Sequence, residues 1–495
     1  MKKAFDWVDR DLLFYKLRTQ FGIHGTMHTA IKSLYAAPTA CVKLNTMRTD
    51  WFPIASGVKQ GDSLSPTLFS MYLNDLAVDI KSLNCGIDIN GYNVTILLYA
   101  DDIVLLAPDE TSLQKQLDQV HQWCRKWRMV VNEDKTKVIH FRPLRKPVTR
   151  FSFMYGNSGL EIVQSYKYLG VFFDEYMTFH ITANALAAAA GRALGVIRHK
   201  LTYLKECRCA TFTKLFSSHV CAIMDYCAGV WGCKQFNQVE QVQLKALRYF
   251  LGVHRYAPVD MLLGDAGWIS CYARHKIATV RLWNRLVSLP PQRLTSQVFY
   301  WDMASCNRKG TWSYTVSYIF EELNLSDYFN SLSPCDVYQA HQSIEALENE
   351  KWNQRRYSKP KLRLYNMFKA NFEQEEYITY NIPKYKRSLF AQFRAGILPL
   401  EVEVGRYRDV PLLNRLCVMC DMSEVEDEIH FMCECPRYAD FRTVLFDEAT
   451  RSNSEFMRYD NLDKFVYLMN NVQLHAINYV WHSCQRRRLF IYGGR

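Results

Sequence analysis

Apolar residues recur at helical spacing over 11–21 (DLLFYKLRTQF) and 26–37 (TMHTAIKSLYAA), which predicts two short amphipathic helices. The alternation over 42–58 (VKLNTMRTDWFPIASGV) predicts a hairpin of strands instead. A hydrophobic helix is expected over 65–80, with Ser65 as its cap and Pro66 at the first helical position, where the missing N–H is not needed. A second hairpin follows over 95–107 (TILLYADDIVLLA), with apolar strands on either side of an Ala-Asp-Asp tip, and 111–131 returns as an amphipathic helix. Hairpins alternating with helices make an α+β layer. From about 176 the pattern changes to long helical stretches at 184–201, 214–232 and 238–252, which predicts an all-helical region. Breaker-rich segments at 143–148, 288–294 and 331–337 mark edges. The expected division is an α+β domain over 1–175, a helical domain over 176–289, an unassigned connecting region over 290–380, and a basic segment over 381–495 ending in a helix.

Composition narrows the function classes. A chain of 495 residues with 49% hydrophobic and 22% charged residues is a folded protein, neither disordered nor collagen-like, and its length suggests two to four domains. The net charge of +12 favours a polyanionic partner, either nucleic acid or an acidic membrane surface. No apolar run reaches the length of a membrane span, because the most hydrophobic stretch, 96–107, carries two carboxylates in its middle. Sixteen scattered cysteines without a leader peptide point to free thiols in a reducing compartment, the nucleus or the cytoplasm.

Asp101 and Asp102 stand side by side at the hairpin tip, and two adjacent carboxylates repel unless a cation sits near them. A solvated turn is one reading, since Asp is common at such tips. A divalent metal is the other, favoured by apolar flanks on both faces, which imply a buried strand pair with the acids emerging at one end.

The neighbours of this tip carry a resemblance. GVKQGDSLSPTLFSMYLNDL (57–76), YADD (99–102) and NEDKTKVIHF (132–141), in this order and spacing, resemble the palm motifs of reverse transcriptases from non-LTR (LINE-type) retrotransposons. The resemblance implies a polymerase palm, an antiparallel sheet with packed helices, followed by a helical thumb. It implies Asp101 as principal ligand of two Mg²⁺ ions, with Asp102 beside it. Gln60 and Gly61 would lie at the incoming nucleotide, with Gly57 and Gly61 allowing close backbone approach, and Lys135 at the leaving pyrophosphate. YKYLGVFFD (166–174) resembles the primer-grip hairpin, centred on Tyr168, Leu169 and Gly170. The expected partners are an RNA template, a DNA primer or target, and deoxynucleoside triphosphates, with no membrane.

The family places a further metal-binding aspartate in a segment of the form Asp-x-Lys-Lys-Ala-Phe-Asp. This sequence begins Met1-Lys2-Lys3-Ala4-Phe5-Asp6, so Phe5 matches the aromatic gate against a ribose 2′-hydroxyl and the aspartate falls immediately before Met1. Asp6, Asp9 and Asp11 lie too far along to replace it. The expectation is a polymerase whose two-metal site and fingers are incomplete in this chain, and which is inactive alone. A non-catalytic RNA- or DNA-binding protein of retroelement descent is the alternative.

Cys417-x₂-Cys420-x₉-His430-x₄-Cys435 has the spacing of a tetrahedral zinc site, with Cys433 as a competing ligand. Buried free cysteines are the plainer reading. The segment 426–438 also resembles the Cys-Cys-His-Cys knuckle found near the C-terminus of LINE-type proteins, with His430 and Cys435 matching. Lys384, Tyr385, Lys386, Arg387, Arg394, Arg406, Tyr407 and Arg408 precede the knuckle, and Arg437 and Tyr438 lie within the knuckle-like segment, a density of cations and aromatics suited to nucleic acid. Arg394, Arg406 and Arg408 are the expected phosphate contacts, to which Arg486, Arg487 and Arg488 could add. No endonuclease pattern is visible.

Overall fold

The computed structural model describes residues 1–203 and 207–493, arranged in two compact units. The first comprises Met1–Thr178 with Pro291–Trp301, and the second comprises Phe179–Pro290 and the chain from Asp302 onward.

Four of the first unit's helices follow the apolar spacing: Arg10–Thr19, Gly25–Leu34, Ser65–Ser82 and Glu110–Lys126. Asp9 caps the first of these by accepting from the Leu12 amide, and Asp109 caps the last by accepting from Ser112. The third has Leu64 at its cap with no side-chain bond, so Ser65 lies inside the helix rather than capping it. Pro66 still falls within the first turn, where its missing donor costs nothing. Leu13, Leu17, Leu68, Phe69, Tyr72, Leu73, Leu76, Leu117, Val120 and Trp123 share one core. Lys16 is buried within it: its Nζ donates to Asp75 Oδ1 at 2.6 Å and lies 3.7 Å from the Trp127 ring centroid and 4.5 Å from that of Tyr72. Carboxylate and ring faces together replace the water that the ammonium loses.

Among the described residues the strands join only in pairs, so the expected sheet is a set of two-stranded ladders, one of them parallel. The segment 42–58 contributes to two such ladders, Thr39–Ala40 with Phe52–Pro53 and Lys43–Leu44 with Met47–Arg48. The Ala-Asp-Asp hairpin forms as expected from Ile96–Tyr99 and Asp102–Leu105, with Tyr99 opposite Asp102. Its expected burial on both faces does not hold. Ile96 is buried, with Ile103 and Leu105 packed against the same core, but Leu97 and Leu98 are each 37% exposed and Tyr99 is 63% exposed, as each strand has a single partner among the described residues.

The second unit is helical. Its longer elements are His180–Thr202, Asn237–Leu251, Cys271–Val287, Val337–Tyr357 and Gln473–Tyr492. The stretch 214–232, expected as one helix, is broken into Cys209–Phe216, a wide turn at Ser217–Cys221, Ala222–Met224 and Ala228–Trp231, with Cys227 left-handed at φ 54° between the last two. One continuous core runs from Ala183 to Val480 and takes in Trp352, Phe368, Phe390 and Cys435, so segments on both sides of 290 and 380 are packed together. Trp352 shows how closely: a Cβ on Gly264 would lie 2.6 Å from its ring, and its indole donates to the Asp260 carbonyl. No helix of the described residues is long and apolar enough to cross a membrane.

Candidate functional site

Segment 1–8 links the carboxylate turn of the first unit to the loop that carries Gln60. Ala100, the first residue of that turn, sits in the left-handed region at φ 51°, a conformation costly for a residue with a Cβ, and places Asp101 at the tip. The Met1 amino group donates to the Asp101 carbonyl at 3.0 Å and lies 4.0 Å from Asp101 Oδ2. Segment 1–8 therefore starts at the carboxylate turn. It ends under the loop that carries Gln60, where Val58 donates to the Phe5 carbonyl (2.8 Å), Gly57 to that of Val8 (2.9 Å) and Ser56 Oγ to that of Asp6 (2.9 Å).

Gly57 is required by this contact. It has φ +84°, and a Cβ there would fall 2.7 Å from the Phe5 carbonyl and 2.8 Å from Asp6 Cα, so its close approach is to the protein's own backbone. Gly61 has φ +88° with open space beside it. Phe5 stacks on Phe69 with ring centroids 4.8 Å apart.

Two residues that the sequence reading did not select hold this loop. Arg10 spends its guanidinium on three carbonyls, those of Gly57, Ile54 and Ser56, at 2.8–3.0 Å. Asp6 accepts from the Gln60 side-chain amide at 2.9 Å. The Phe5 segment gave the only hint of either role. A lone Arg in a helical pattern carries no signal that it will reach across to a loop.

Another loop is the turn of the hairpin Ser165–Tyr168 and Val171–Asp174. Leu169 at φ 47° and Gly170 at φ 86° give the two left-handed residues of a tight hairpin turn, and a Leu in that role is strained. Burial raises the Tyr168 hydroxyl above its ordinary range, and the charge of Asp102 adds to the effect, which brings this turn into the electrostatic reach of the carboxylates. Lys135 lies at the exposed end of the turn Glu133–Lys135, and its carbonyl accepts from the Tyr166 hydroxyl at 2.9 Å. Asp101 and Asp102 are not joined by a third metal-ligating side chain among the described residues.

The second unit brings Cys417, Cys420, His430 and Cys435 together, with their ligand atoms all within 4.8 Å of one another. Cys433 is buried but outside this group. His430 Nε2 faces Cys420 Sγ at 3.4 Å, while Nδ1 faces Glu434 Oε2 at 3.1 Å. Glu434 was missed by the sequence reading; its i+4 spacing from His430 was the available signal. Burial lowers the imidazole, but hydrogen bonds from Cys417, Cys420 and Glu434 outweigh it and lift His430 to about 9. The cluster is built into the core: Cys435 and Phe431 are fully buried, Tyr479 Oη donates to the Phe431 carbonyl at 2.6 Å, and Arg437 Nε to that of Met419 at 2.7 Å.

The expected phosphate-binding arginines separate. Arg394 is fully buried and paired with Asp265 at 2.9 Å and Glu375 at 2.9 Å, with Tyr365 and Tyr377 also donating to Asp265. It sits on the inward face of the helix Lys384–Arg394 and cannot reach a phosphate, which corrects the sequence expectation. Arg406 pairs with Glu403 at 2.9 Å, and Arg408, 66% exposed, lies 3.8 Å from Glu401. Arg486 and Arg487 turn onto Asp440 and Glu426, leaving Arg488 exposed.

The family described as reverse transcriptase (RNA-dependent DNA polymerase) matches residues 1–173, and this part of the chain is a reverse transcriptase domain. The RNA-directed DNA polymerase from mobile element jockey of Drosophila melanogaster is 26% identical over 269 residues, covering 52% of this chain and 28% of that protein. The Pol polyprotein of the type-1 retrotransposable element R2 of Nasonia vitripennis is 27% identical over 194 residues (37% of this chain, 18% of the relative), and that of Popillia japonica 31% over 185 (35% and 25%). This part of the chain is similar to the reverse transcriptases of non-LTR retrotransposons. The chain spans little more than a quarter of the length of the jockey relatives it matches.

Proposed function

We propose that residues 1–178 serve RNA-directed DNA synthesis in a retroelement, as a palm in which Asp101 and Asp102 face the reacting end of the primer. The observation that supports this reading is the run of segment 1–8, which is bonded at one end to Asp101 and at the other to the loop that carries Gln60. In this reading Phe5, backed by Phe69, excludes a ribose 2′-hydroxyl. Gln60, its amide fixed by Asp6, touches the incoming nucleotide or template, and Lys135 meets the leaving pyrophosphate. The turn at Tyr168, Leu169 and Gly170 orients the primer strand. Divalent ions bound here would polarise the primer hydroxyl and the triphosphate. Two adjacent carboxylates fit one side of such a clamp only, since two-metal sites hold ions about 3.5–4 Å apart between ligands from more than one strand. The 495-residue chain on its own therefore binds template and primer without copying. Primer extension on an RNA template with Mg²⁺ or Mn²⁺ tests this: no extension is expected, and extension that disappears in Asp101→Ala would overturn it.

The second unit supports the reading as a helical, thumb-like body stabilised by zinc on Cys417, Cys420, His430 and Cys435. Zinc takes thiolates at about 2.3 Å and imidazole at about 2.0 Å, and a cluster already within tetrahedral reach needs only a small contraction to do so. Glu434 on Nδ1 would fix the imidazole with Nε2 toward the ion. The burial of this cluster favours a structural ion. A non-catalytic nucleic-acid-binding protein is the second reading, favoured by the two-carboxylate turn.

A further inference from the structure

The helical unit holds a group of cations without counter-ions among the described residues. Arg198 on the helix His180–Thr202 and Lys384 on the helix Lys384–Arg394 both lie over the ring of Tyr249, with Cζ 5.0 Å and Nζ 3.7 Å from its centroid. Arg387, one turn beyond Lys384, lies 4.1 Å over the Phe250 ring and is 3% exposed, yet its one hydrogen bond among the described residues is from Nε to the Phe250 carbonyl at 3.1 Å. Its terminal nitrogens have no acceptor there and are not sealed from solvent. Lys384 and Arg387, with Tyr249 and Phe250, line a small cleft. No carboxylate lies within ion-pair distance of Arg198, Lys384 or Arg387 among the described residues, in contrast to Arg394 one helix face away. Burial lowers both Lys384 and Arg387, and the cations Arg387 and Arg198 lower Lys384 further.

Like charges in one cluster, Arg198 and Lys384 over Tyr249 and the buried Arg387 over Phe250, repel each other and lose hydration; an anion removes both costs. The amino end of the helix Lys384–Arg394 adds to the field, since Pro383 caps it without a side-chain bond. The Tyr249 ring is engaged by two cations and its hydroxyl donates to the Arg198 carbonyl at 3.2 Å, which favours a phosphate over a stacked base. The site reads charge, not sequence.

We propose that Arg198, Lys384 and Arg387 form a binding site for a backbone phosphate of a nucleic-acid strand. This rests on the nucleic-acid reading of the chain and moves the expected contact from Arg394 to a different face of the same helix. Such a contact releases condensed counter-ions, so it appears in the salt dependence of binding.

The test is titration of the full chain with a labelled single strand at several salt concentrations, using Arg198→Gln/Lys384→Gln, whose side chains are exposed, beside Arg387→Lys. The double variant is expected to keep the thermal transition of the parent, to bind at least tenfold more weakly, and to lose about 0.7–0.9 of log–log slope per phosphate contact removed. Arg387→Lys should weaken binding less, keeping the charge but not the fork. Unchanged affinity and slope in the folded double variant would overturn the site while leaving the nucleic-acid reading intact. No binding by the parent would overturn both. Binding of inorganic phosphate that the double variant loses, with strand affinity unmoved, would make this a free-anion site and overturn the backbone assignment.

Discussion

The Gln60 side-chain amide donates to Asp6 Oδ1 at 2.9 Å, so a residue of the expected nucleotide site is oriented by a carboxylate that follows Phe5 in the chain. The contact joins two segments 54 residues apart, and Arg10 closes the same loop through three carbonyls. Gly57 allows the approach. Gly57→Ala should destabilise the first unit by about 1–3 kcal/mol, from a strained left-handed Ala and a Cβ pressed on the Phe5 carbonyl. Urea unfolding of the variant checks this, and a loss below experimental error would show that the loop is not clamped.

Arg394 gives a sharper contrast. Arg394→Ala leaves the buried Asp265 without its cation and Glu375 with Lys369 alone, and removing one partner of a buried pair costs about 3–5 kcal/mol. Burial opposes charge on Glu375, but Arg394 and Lys369 hold it below the ordinary carboxylate range. The variant should melt earlier, and at temperatures where it is folded its salt slope for nucleic acid should match the parent's. A reduced slope in the folded variant would restore Arg394 as a phosphate contact.

Zinc should be present at one ion per chain and survive Cys433→Ser but not Cys435→Ser. Since Cys435 and Phe431 are fully buried in the core that also holds Phe390 and Phe465, chelation should lower the thermal transition of the helical unit as a whole. Elemental analysis and calorimetry decide it: a zinc-free protein with an unshifted transition under chelator would leave the four thiol and imidazole groups, three of them buried, without a metal.

Lys16 supplies the pH dependence. Burial pulls its ammonium down to about 8 from 10.5, against the pull of Asp75. Below pH 8 the group is charged in both folded and unfolded chain; between about 8 and 10.5 the unfolded chain binds more protons, so this residue makes stability rise with pH. Lys16→Met should remove that rise. Parallel stability–pH curves for parent and variant would show that Lys16 holds its ordinary value.

The helices of the first unit and both turns were legible because each depends on local signals, apolar spacing and two adjacent acids, whereas the cap expected at Ser65 lies inside its helix. The Cys417, Cys420, His430 and Cys435 cluster was legible for the same reason, its spacing being short. What was not legible depends on packing across the chain. Nothing around Arg394 distinguishes it from Arg387, and only the fold shows that one faces Asp265 and the other a cleft. The break at Cys227 and the exposure of Leu97 and Leu98 are likewise set by neighbours that a linear pattern does not contain.

The account rests most on Asp101 and Asp102 facing a bound template and primer. The direct measurement is the affinity of the chain for an RNA template annealed to a DNA primer, without divalent ions and at low salt, for the parent and for Asp101→Asn/Asp102→Asn. Removing two negative charges from a surface that receives phosphates should tighten binding by about 2- to 10-fold, with the difference shrinking as salt rises. Equal or weaker binding by the variant would place the carboxylate turn away from the substrate and contradict the assignment.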